Sequence, residues 1–246
     1  MGIRLYNCFM LATSSSQFIY SSETEPEIEL NKEDIYDEQF ILENEIENIL
    51  PYSKLRYYEK DFWDQRYEKD SSTFEWYFPF YKIQSYVVKF VQGRDFALDI
   101  GCGTSSLASD LSYTGFKKVI GLDISSNAIS AMKERYSSNP EITWIVGDCM
   151  AIKSEKKFDA IFDKGTMDSL LCSGDQRKAK KELSEISTIL KPGGCFFLIS
   201  DGFPKIRTHL FKDPALKFTL IHTKKYELDL GNSQTGFFYM YVLQKG

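Results

Sequence analysis

The segment between residues 96 and 200 alternates short apolar runs with stretches of helical periodicity, and this alternation constrains the fold more than any other feature. Five apolar runs are typical of strands, at residues 96–100, 119–123, 142–146, 158–162 and 195–200. Helical patterns lie between them, at residues 107–112, 127–136 and 178–190. Strands that alternate with helices predict a parallel sheet covered on both faces, and therefore an α/β fold.

The C-terminal part departs from this alternation. Two strand-like runs, at residues 217–222 and 237–243, follow one another without a helix between them. Such a pair predicts an antiparallel hairpin at the edge of the sheet. Together with the five earlier strands, it predicts a Rossmann-like, seven-stranded, mostly parallel sheet.

The N-terminal residues 1–50 read as an acidic extension. Between Glu23 and Glu47 stand eleven acidic residues and one lysine, whereas the whole chain has a net charge of −5, so the rest of the chain is net positive. Residues 13–29 are too poor in apolar side chains to offset the entropy of ordering them, and residues 31–50 show the spacing of an amphipathic helix. Two interpretations stay open: the arm docks a basic protein substrate, or it is a solvated tail.

The main domain is expected to span residues 51–246, and it opens with a dense run of aromatic residues at 51–81. Aromatic side chains at this density must be buried or must line a site. We therefore predict that this segment is a lid.

Charge and cysteine content exclude several classes of protein. A pI near 5.3 argues against nucleic acid as a partner. The five cysteines are odd in number and show no CxxC spacing, which predicts neither a disulfide framework nor a metal site and fits a reducing compartment. No apolar run approaches the roughly 20 residues that span a bilayer. We expect a soluble, cytoplasmic protein without a membrane partner; the sequence does not indicate an oligomeric state.

Polar residues follow four of the predicted strands. The first strand runs into Gly101-Cys102-Gly103, and the next three end near Asp123, Asp148 and Asp163. Glycines let a ligand approach the backbone closely, and carboxylates can accept hydrogen bonds from ribose hydroxyls or an adenine amino group. Ligands of open α/β sheets bind at the carboxyl edge of the strands. Each residue alone could be an ordinary turn or helix cap, but the four together predict a nucleoside site.

These motifs resemble the class I S-adenosylmethionine-dependent methyltransferases. The glycine-rich turn at residues 98–104, the acids Asp123 and Asp148, and the turn Lys191-Pro192-Gly193-Gly194 match that family. The segments FWDQRY at residues 62–67, FEWY at 74–77 and DKGTMDSLL at 163–171 resemble the branch that includes the lysine methyltransferases of translation elongation factor 1-alpha.

The resemblance implies S-adenosyl-L-methionine as cofactor and a protein lysine as methyl acceptor, with elongation factor 1-alpha as a candidate protein substrate. It also implies a set of cofactor-binding residues: Trp63, Tyr67, Trp76, Gly101, Asp123, Ile124, Asp148, Cys149 and the Lys164 backbone. Ile124 departs from the branch, which often has an aromatic residue there, so adenine would rest on an aliphatic wall.

Methyl transfer to lysine needs an amine that is oriented and has lost its proton. We interpret Asp163, at the end of the fourth strand, as the catalytic residue that hydrogen-bonds either the incoming amine or the cofactor's ammonium. Two other functions stay open. One is methylation of a small molecule, and the other is a catalytically silent fold that binds the cofactor or a partner.

Overall fold

The computed structural model describes residues 56–229 and 235–246 of the chain. The predicted extension at residues 1–50 lies outside the described residues. The helices are α1 (Lys60–Lys69), α2 (Gln84–Phe90), α3 (Leu107–Ser112), α4 (Ser126–Arg135), α5 (Thr166–Leu171), α6 (Gln176–Ile189) and α7 (Pro204–Arg207). The strands are β1 (Phe96–Ile100), β2 (Lys118–Asp123), β3 (Ile142–Val146), β4 (Phe158–Lys164), β5 (Leu190–Ser200), β6 (Phe218–Asp229) and β7 (Thr235–Lys245).

The seven strands form one sheet in the order β3-β2-β1-β4-β5-β7-β6. The first five strands pair in parallel, and β7 is antiparallel to both β5 and β6. This arrangement confirms the predicted fold class, including the antiparallel hairpin at the edge.

The hydrophobic core has two layers, one on each face of the sheet. Successive residues of β1 point to opposite faces, so Ala97 packs in one layer while Leu98 and Ile100 pack in the other. All seven residues of β4 are buried. Burial on both faces explains why runs of consecutive apolar residues, such as residues 160–162 of β4, mark the central strands.

The strand order reverses between β1 and β4, and the strand ends are in register there. Ile100 of β1 lies opposite Leu122 of β2 and opposite Asp163 of β4, while Asp123 lies opposite Val146. The residues that follow these strands therefore share one edge, at the point where crevices form in doubly wound sheets.

Two helices near that edge, α1 and α5, were not predicted from the sequence. Helix α5 lies in the segment at residues 163–171, from which only the family resemblance was drawn, and α1 lies inside the aromatic run that the sequence indicated only as a lid. Within the described ranges, no helix is long and apolar enough to cross a bilayer.

Candidate functional site

A cleft that is partly open to solvent lies at the carboxyl edge of the sheet. Its wall combines the ends of β1, β2, β3 and β4 with the N-terminal aromatic segment. All nine side chains or backbones predicted to bind the cofactor lie in this wall: Trp63, Tyr67, Trp76, Gly101, Asp123, Ile124, Asp148, Cys149 and Lys164. The folding of the chain thus brings together residues that are separated by up to about a hundred positions in sequence.

The turn after β1 requires glycine. Gly101 has a φ of +61°, and a Cβ at that position would lie 1.9 Å from Thr166 Oγ1. Thr166 cannot move freely, because its hydroxyl donates a 2.9 Å hydrogen bond to the carbonyl oxygen of Ile100. Gly103, with a φ of +49°, lies against the hydroxyl of Tyr67 in the same way. Because the two glycines have no Cβ, the side chains of Thr166 and Tyr67 can pack directly against the backbone of this turn, and Gly101 contributes to the wall of the cleft.

Asp123 ties the end of β2 to the glycine-rich turn. Its Oδ2 accepts a 2.8 Å hydrogen bond from Gly103 N, and its Oδ1 accepts a 2.7 Å bond from Ser125 N. Burial raises the pKa of Asp123 to about 6, although these two backbone donors oppose the shift. The carboxylate keeps further acceptor capacity at the cleft, since each of its oxygens can accept more than one hydrogen bond.

The end of β3 supplies a second carboxylate and an apolar wall. Asp148 Oδ1 accepts a hydrogen bond of 2.8 Å from Met150 N, which starts a single 3-10 turn at Cys149–Ala151. Ile124 and Leu122 line the same part of the cleft. This region therefore offers a carboxylate beside an aliphatic surface, the combination that a purine base with an exocyclic amino group can use.

The aromatic segment packs over the cleft as one connected cluster. Trp63 stacks on Tyr67 with ring centroids 5.9 Å apart and meets Trp76 edge-on at 6.1 Å. The indole Nε1 of Trp63 donates a 2.6 Å hydrogen bond to the carbonyl oxygen of Tyr57. Asp64 of α1 accepts a 2.7 Å bond from the Ser125 hydroxyl, which anchors the helix beside α4.

A buried ion pair that the sequence did not indicate joins this segment to β4. Lys164 Nζ lies 2.9 Å from Glu75 Oε2 and donates to the carbonyl oxygen of Trp76 at 3.0 Å. Glu75 also accepts bonds from Ser105 Oγ and Ser106 N. Burial alone would raise the pKa of Glu75, but Lys164 and these donors outweigh it and hold the pKa below its ordinary value.

Asp99 is a second residue that sequence reasoning missed as a site residue. It lies in a small cavity that shares Tyr67, Trp76, Gly101 and Lys164 with the main cleft. Asp99 Oδ2 and the hydroxyl of Thr104, also in this cavity, are buried without a hydrogen-bond partner among the described residues. Burial raises the pKa of Asp99 well above its ordinary value, while Lys164 opposes the shift. The sequence feature that could have identified Asp99 as a site residue is its position as the one charged residue in the otherwise apolar strand β1.

Asp163 is the one predicted site residue that the structure does not place in the wall of the cleft. Its side chain is fully buried. Its two oxygens accept hydrogen bonds from Thr166 N at 2.8 Å and Met167 N at 3.0 Å. The first amides of a helix have no partner within the helix, and Asp163 satisfies two of them at the start of α5. This placement fits a positioning role and does not fit direct contact with an incoming amine.

Comparison with known proteins agrees with this geometry. Residues 97–194 match the model of a methyltransferase domain family. EEF1A lysine methyltransferase 4 of Bos taurus is 31% identical over 211 residues, covering 80% of this chain and 79% of the bovine protein. The eEF1A lysine and N-terminal methyltransferase of Mus musculus is 30% identical over 159 residues, covering 62% of this chain and 23% of the mouse protein.

Solved structures show the same fold. The N-methyltransferase NodS from Bradyrhizobium japonicum WM9, in complex with S-adenosyl-L-homocysteine, superposes with a TM-score of 0.57 at 16% identity over 74% of this chain and 98% of NodS. The glycopeptide N-methyltransferase MtfA, complexed with S-adenosyl-L-methionine, superposes with a TM-score of 0.53 at 13% identity, over 67% of this chain and 93% of MtfA. From the strand order, the cleft and the similarity to the bovine enzyme, the chain belongs to the class I S-adenosylmethionine-dependent methyltransferases, in the branch that contains EEF1A lysine methyltransferase 4.

Proposed function

We propose that this methyltransferase modifies the side-chain amine of a lysine in a protein, and that elongation factor 1-alpha is its substrate. The observation that carries the proposal is the 31% identity over 211 residues to a protein named for that activity. This similarity extends well beyond residues 97–194, which the general methyltransferase family model matches. Residues outside the shared cofactor-binding core therefore contribute to it.

The residues of the cleft fit the polar groups of S-adenosyl-L-methionine. Asp99 Oδ2 and the Thr104 hydroxyl are buried acceptors without a partner among the described residues, and such groups are costly unless a ligand satisfies them. A ligand ammonium group supplies the hydrogen-bond donors that they lack. We therefore assign Asp99 and Thr104 to the amino-acid end of the cofactor.

The residues at the ends of β2 and β3 would bind the nucleoside end of the cofactor. Asp123 would accept hydrogen bonds from the ribose hydroxyls, because its carboxylate is held rigidly by Gly103 N and Ser125 N. Asp148 would accept one from the adenine amino group, with Ile124 as the apolar surface beneath the base. Trp63, Tyr67 and Trp76 would close the cleft from the N-terminal side.

The cofactor supplies an electrophilic methyl group on a sulfonium, which an amine can displace in line. The protein has to bind both reactants in that line and exclude water. The aromatic cluster does the second task, and its low polarity also lowers the pKa of a lysine ammonium, which favours the neutral nucleophile. Lys164 does not compete for this role, because its own ammonium is held by Glu75 and the Trp76 carbonyl.

The direct test incubates the purified protein with isotopically labelled S-adenosyl-L-methionine and purified elongation factor 1-alpha. We expect label in the protein fraction and, after proteolysis, methylated lysine in one peptide by mass spectrometry. A substrate in which that lysine is replaced by arginine should take up no label.

Asp123→Ala provides the matched loss-of-binding control, since it should reduce labelling about ten- to a hundredfold at subsaturating cofactor without removing the acceptor. The result that would overturn the proposal is cofactor binding by calorimetry with no labelled lysine. Label that passes into the small-molecule fraction of a lysate would instead favour a metabolite as the acceptor. Binding without any transfer would favour a catalytically silent fold.

A further inference from the structure

Asp168 is a buried carboxyl group that cofactor binding does not explain. It lies on α5 between Thr166 and Ser169, which line the cleft, but it does not line the cleft itself. Aspartate is rarely buried unless a partner compensates its charge. The partner of Asp168 is Arg207 of α7, which is also buried. Burial lowers the pKa of Arg207, but Asp168 and Asp201 outweigh it and raise the pKa above its ordinary value, so the pair is ionised.

The carboxylate of Asp168 is fully occupied by hydrogen bonds. Its Oδ1 accepts one from the Arg207 guanidinium and one of 2.6 Å from the Ser200 hydroxyl. Its Oδ2 accepts one of 2.7 Å from the Tyr77 hydroxyl and one of 3.3 Å from Asp201 N. A carboxylate has about four acceptor sites. Asp168 therefore has no acceptor site left for a ligand, and it can act on the cleft only through the residues that it holds.

The turn after β5 fixes Asp168 from one side. Arg207 Nε donates a 2.8 Å hydrogen bond to Ser200 Oγ, which also accepts a 3.1 Å bond from Gly202 N. The carbonyl oxygen of Gly202 in turn accepts a 2.6 Å bond from the Tyr241 hydroxyl of β7. Because these buried groups hold one another, the Asp168 carboxylate has a fixed position.

Tyr77, on the other side of Asp168, has a strained backbone. It belongs to the N-terminal aromatic segment and has a φ of +63°, in the left-handed region that bulky side chains rarely adopt. Such a conformation costs free energy and persists only where surrounding contacts hold it. The contacts that hold Tyr77 include the hydrogen bond to Asp168 and a stack on Phe238, with ring centroids 5.5 Å apart.

The conformation of Tyr77 sets the position of Trp76, the residue before it. Trp76 lines both the main cleft and the small cavity that contains Asp99. Both aromatic residues lie over Gly165: a Cβ built there would be 3.4 Å from Tyr77 Cε2 and 3.9 Å from Trp76 Cβ. A return of Tyr77 to an ordinary φ would turn the chain at Trp76 and move that residue from its place in the wall.

We propose that Asp168 is a positioning residue that holds the Tyr77 hydroxyl and thereby keeps Trp76 in the wall of the cofactor cleft before the cofactor binds. Arg207 supports this role by keeping the carboxylate ionised and in place. A wall that is already ordered in the free protein removes an ordering cost from the binding step. The proposal concerns cofactor binding and is independent of the identity of the methyl acceptor.

Tyr77→Phe is the informative variant, because it removes only the hydroxyl and keeps the ring on Phe238. We expect its dissociation constant for S-adenosyl-L-methionine, measured by calorimetry, to rise about three- to tenfold, equivalent to one net hydrogen bond. Tyr226→Phe is the matched control. Tyr226 is buried in the same core layer and donates its hydroxyl to the Lys82 carbonyl oxygen at 3.1 Å, but it does not line the cleft. It should lose a similar amount of thermal stability and bind the cofactor as the wild type does.

A double variant tests whether Asp168 acts through Tyr77. Asp168→Asn removes the charged acceptor of the same contact, so Tyr77→Phe/Asp168→Asn should bind the cofactor no more weakly than Asp168→Asn alone. A further loss of about threefold or more in the double variant would overturn the proposal. Wild-type affinity in Tyr77→Phe would also overturn it, as would an equal loss of affinity in Tyr226→Phe. If Asp168→Asn does not fold, the comparison of the two tyrosine variants still decides the question.

Discussion

Lys164 at the end of β4 and Glu75 in the N-terminal aromatic segment form a buried ion pair, with Nζ and Oε2 2.9 Å apart and side chains only 5% and 20% exposed. The pair connects residues 89 positions apart and lies where the cleft meets its aromatic cover. It therefore couples the position of the cover to the sheet.

Removing one partner of this pair should cost more than removing both. In Lys164→Met the Glu75 carboxylate loses its cation, and breaking a buried pair in this way costs about 3 kcal/mol in the free energy of unfolding. The double variant Glu75→Gln/Lys164→Met should recover part of that loss, with a coupling of about 1–2 kcal/mol. Urea unfolding of the four proteins measures the coupling, and strictly additive changes would contradict it.

Asp123→Ala should weaken binding of S-adenosyl-L-methionine by about ten- to a hundredfold. Hydrogen bonds to a charged acceptor contribute roughly 1.5–3 kcal/mol, and each 1.4 kcal/mol changes the dissociation constant tenfold. Isothermal calorimetry measures the change. Glu134→Ala, which removes an exposed carboxylate from α4, is the control and should bind as the wild type does. Unchanged affinity in Asp123→Ala would refute the ribose assignment.

Cofactor affinity should also fall in mildly acidic buffer. The pKa of Asp123 is raised to about 6 by burial, and a ribose that donates hydrogen bonds favours the ionised carboxylate. Binding therefore loses affinity as the pH falls through about 6 and is independent of this group above about 7. Calorimetry between pH 5 and pH 8 tests the dependence. In Asp123→Asn this acid limb should disappear, and an identical limb in that variant would assign it to another group.

Gly101→Ala should destabilise the protein and reduce cofactor binding. The alanine would have to adopt a φ of +61°, and its Cβ would lie 1.9 Å from Thr166 Oγ1. The substitution therefore combines backbone strain with displacement of Thr166. Such strain costs about 1–3 kcal/mol. Gly115→Ala is a matched control, because Gly115 also has a positive φ, +91°, but no atom lies within 4 Å of its Cβ position. Thermal denaturation should show a larger loss for Gly101→Ala, and equal losses would remove the contact with Thr166 as a cause.

Most of the sheet was predictable because its strands are short apolar runs separated by stretches of helical periodicity. The pattern predicted β1 and β3 with the observed bounds, and strand ends marked by glycine or aspartate indicated the edge at which the cleft forms. The hairpin of β6 and β7 is longer than predicted. Its residues beyond the sheet pair only with each other, and such strands carry a weaker apolar signal.

The role of Asp163 was not predictable in the same way. In sequence it resembles Asp123, since each aspartate ends a parallel strand. The structure separates them: Asp123 lines the cleft, whereas Asp163 is buried and accepts hydrogen bonds from the first amides of α5. A carboxylate at a strand end can serve a ligand or a helix, and the packing of the following helix decides which.

The sequence alone determined the alternation of strands and helices, the edge of the sheet that carries the site, and the family, because these depend on local periodicity and on motifs of adjacent residues. Only the tertiary structure decided what surrounds the charged groups: Lys164 pairs with Glu75, Asp99 lies in the small cavity beside the cleft, and Asp163 accepts hydrogen bonds from the start of α5. These contacts join distant parts of the chain, and their energies depend on burial. A local sequence pattern encodes neither which distant residues come into contact nor how deeply they are buried.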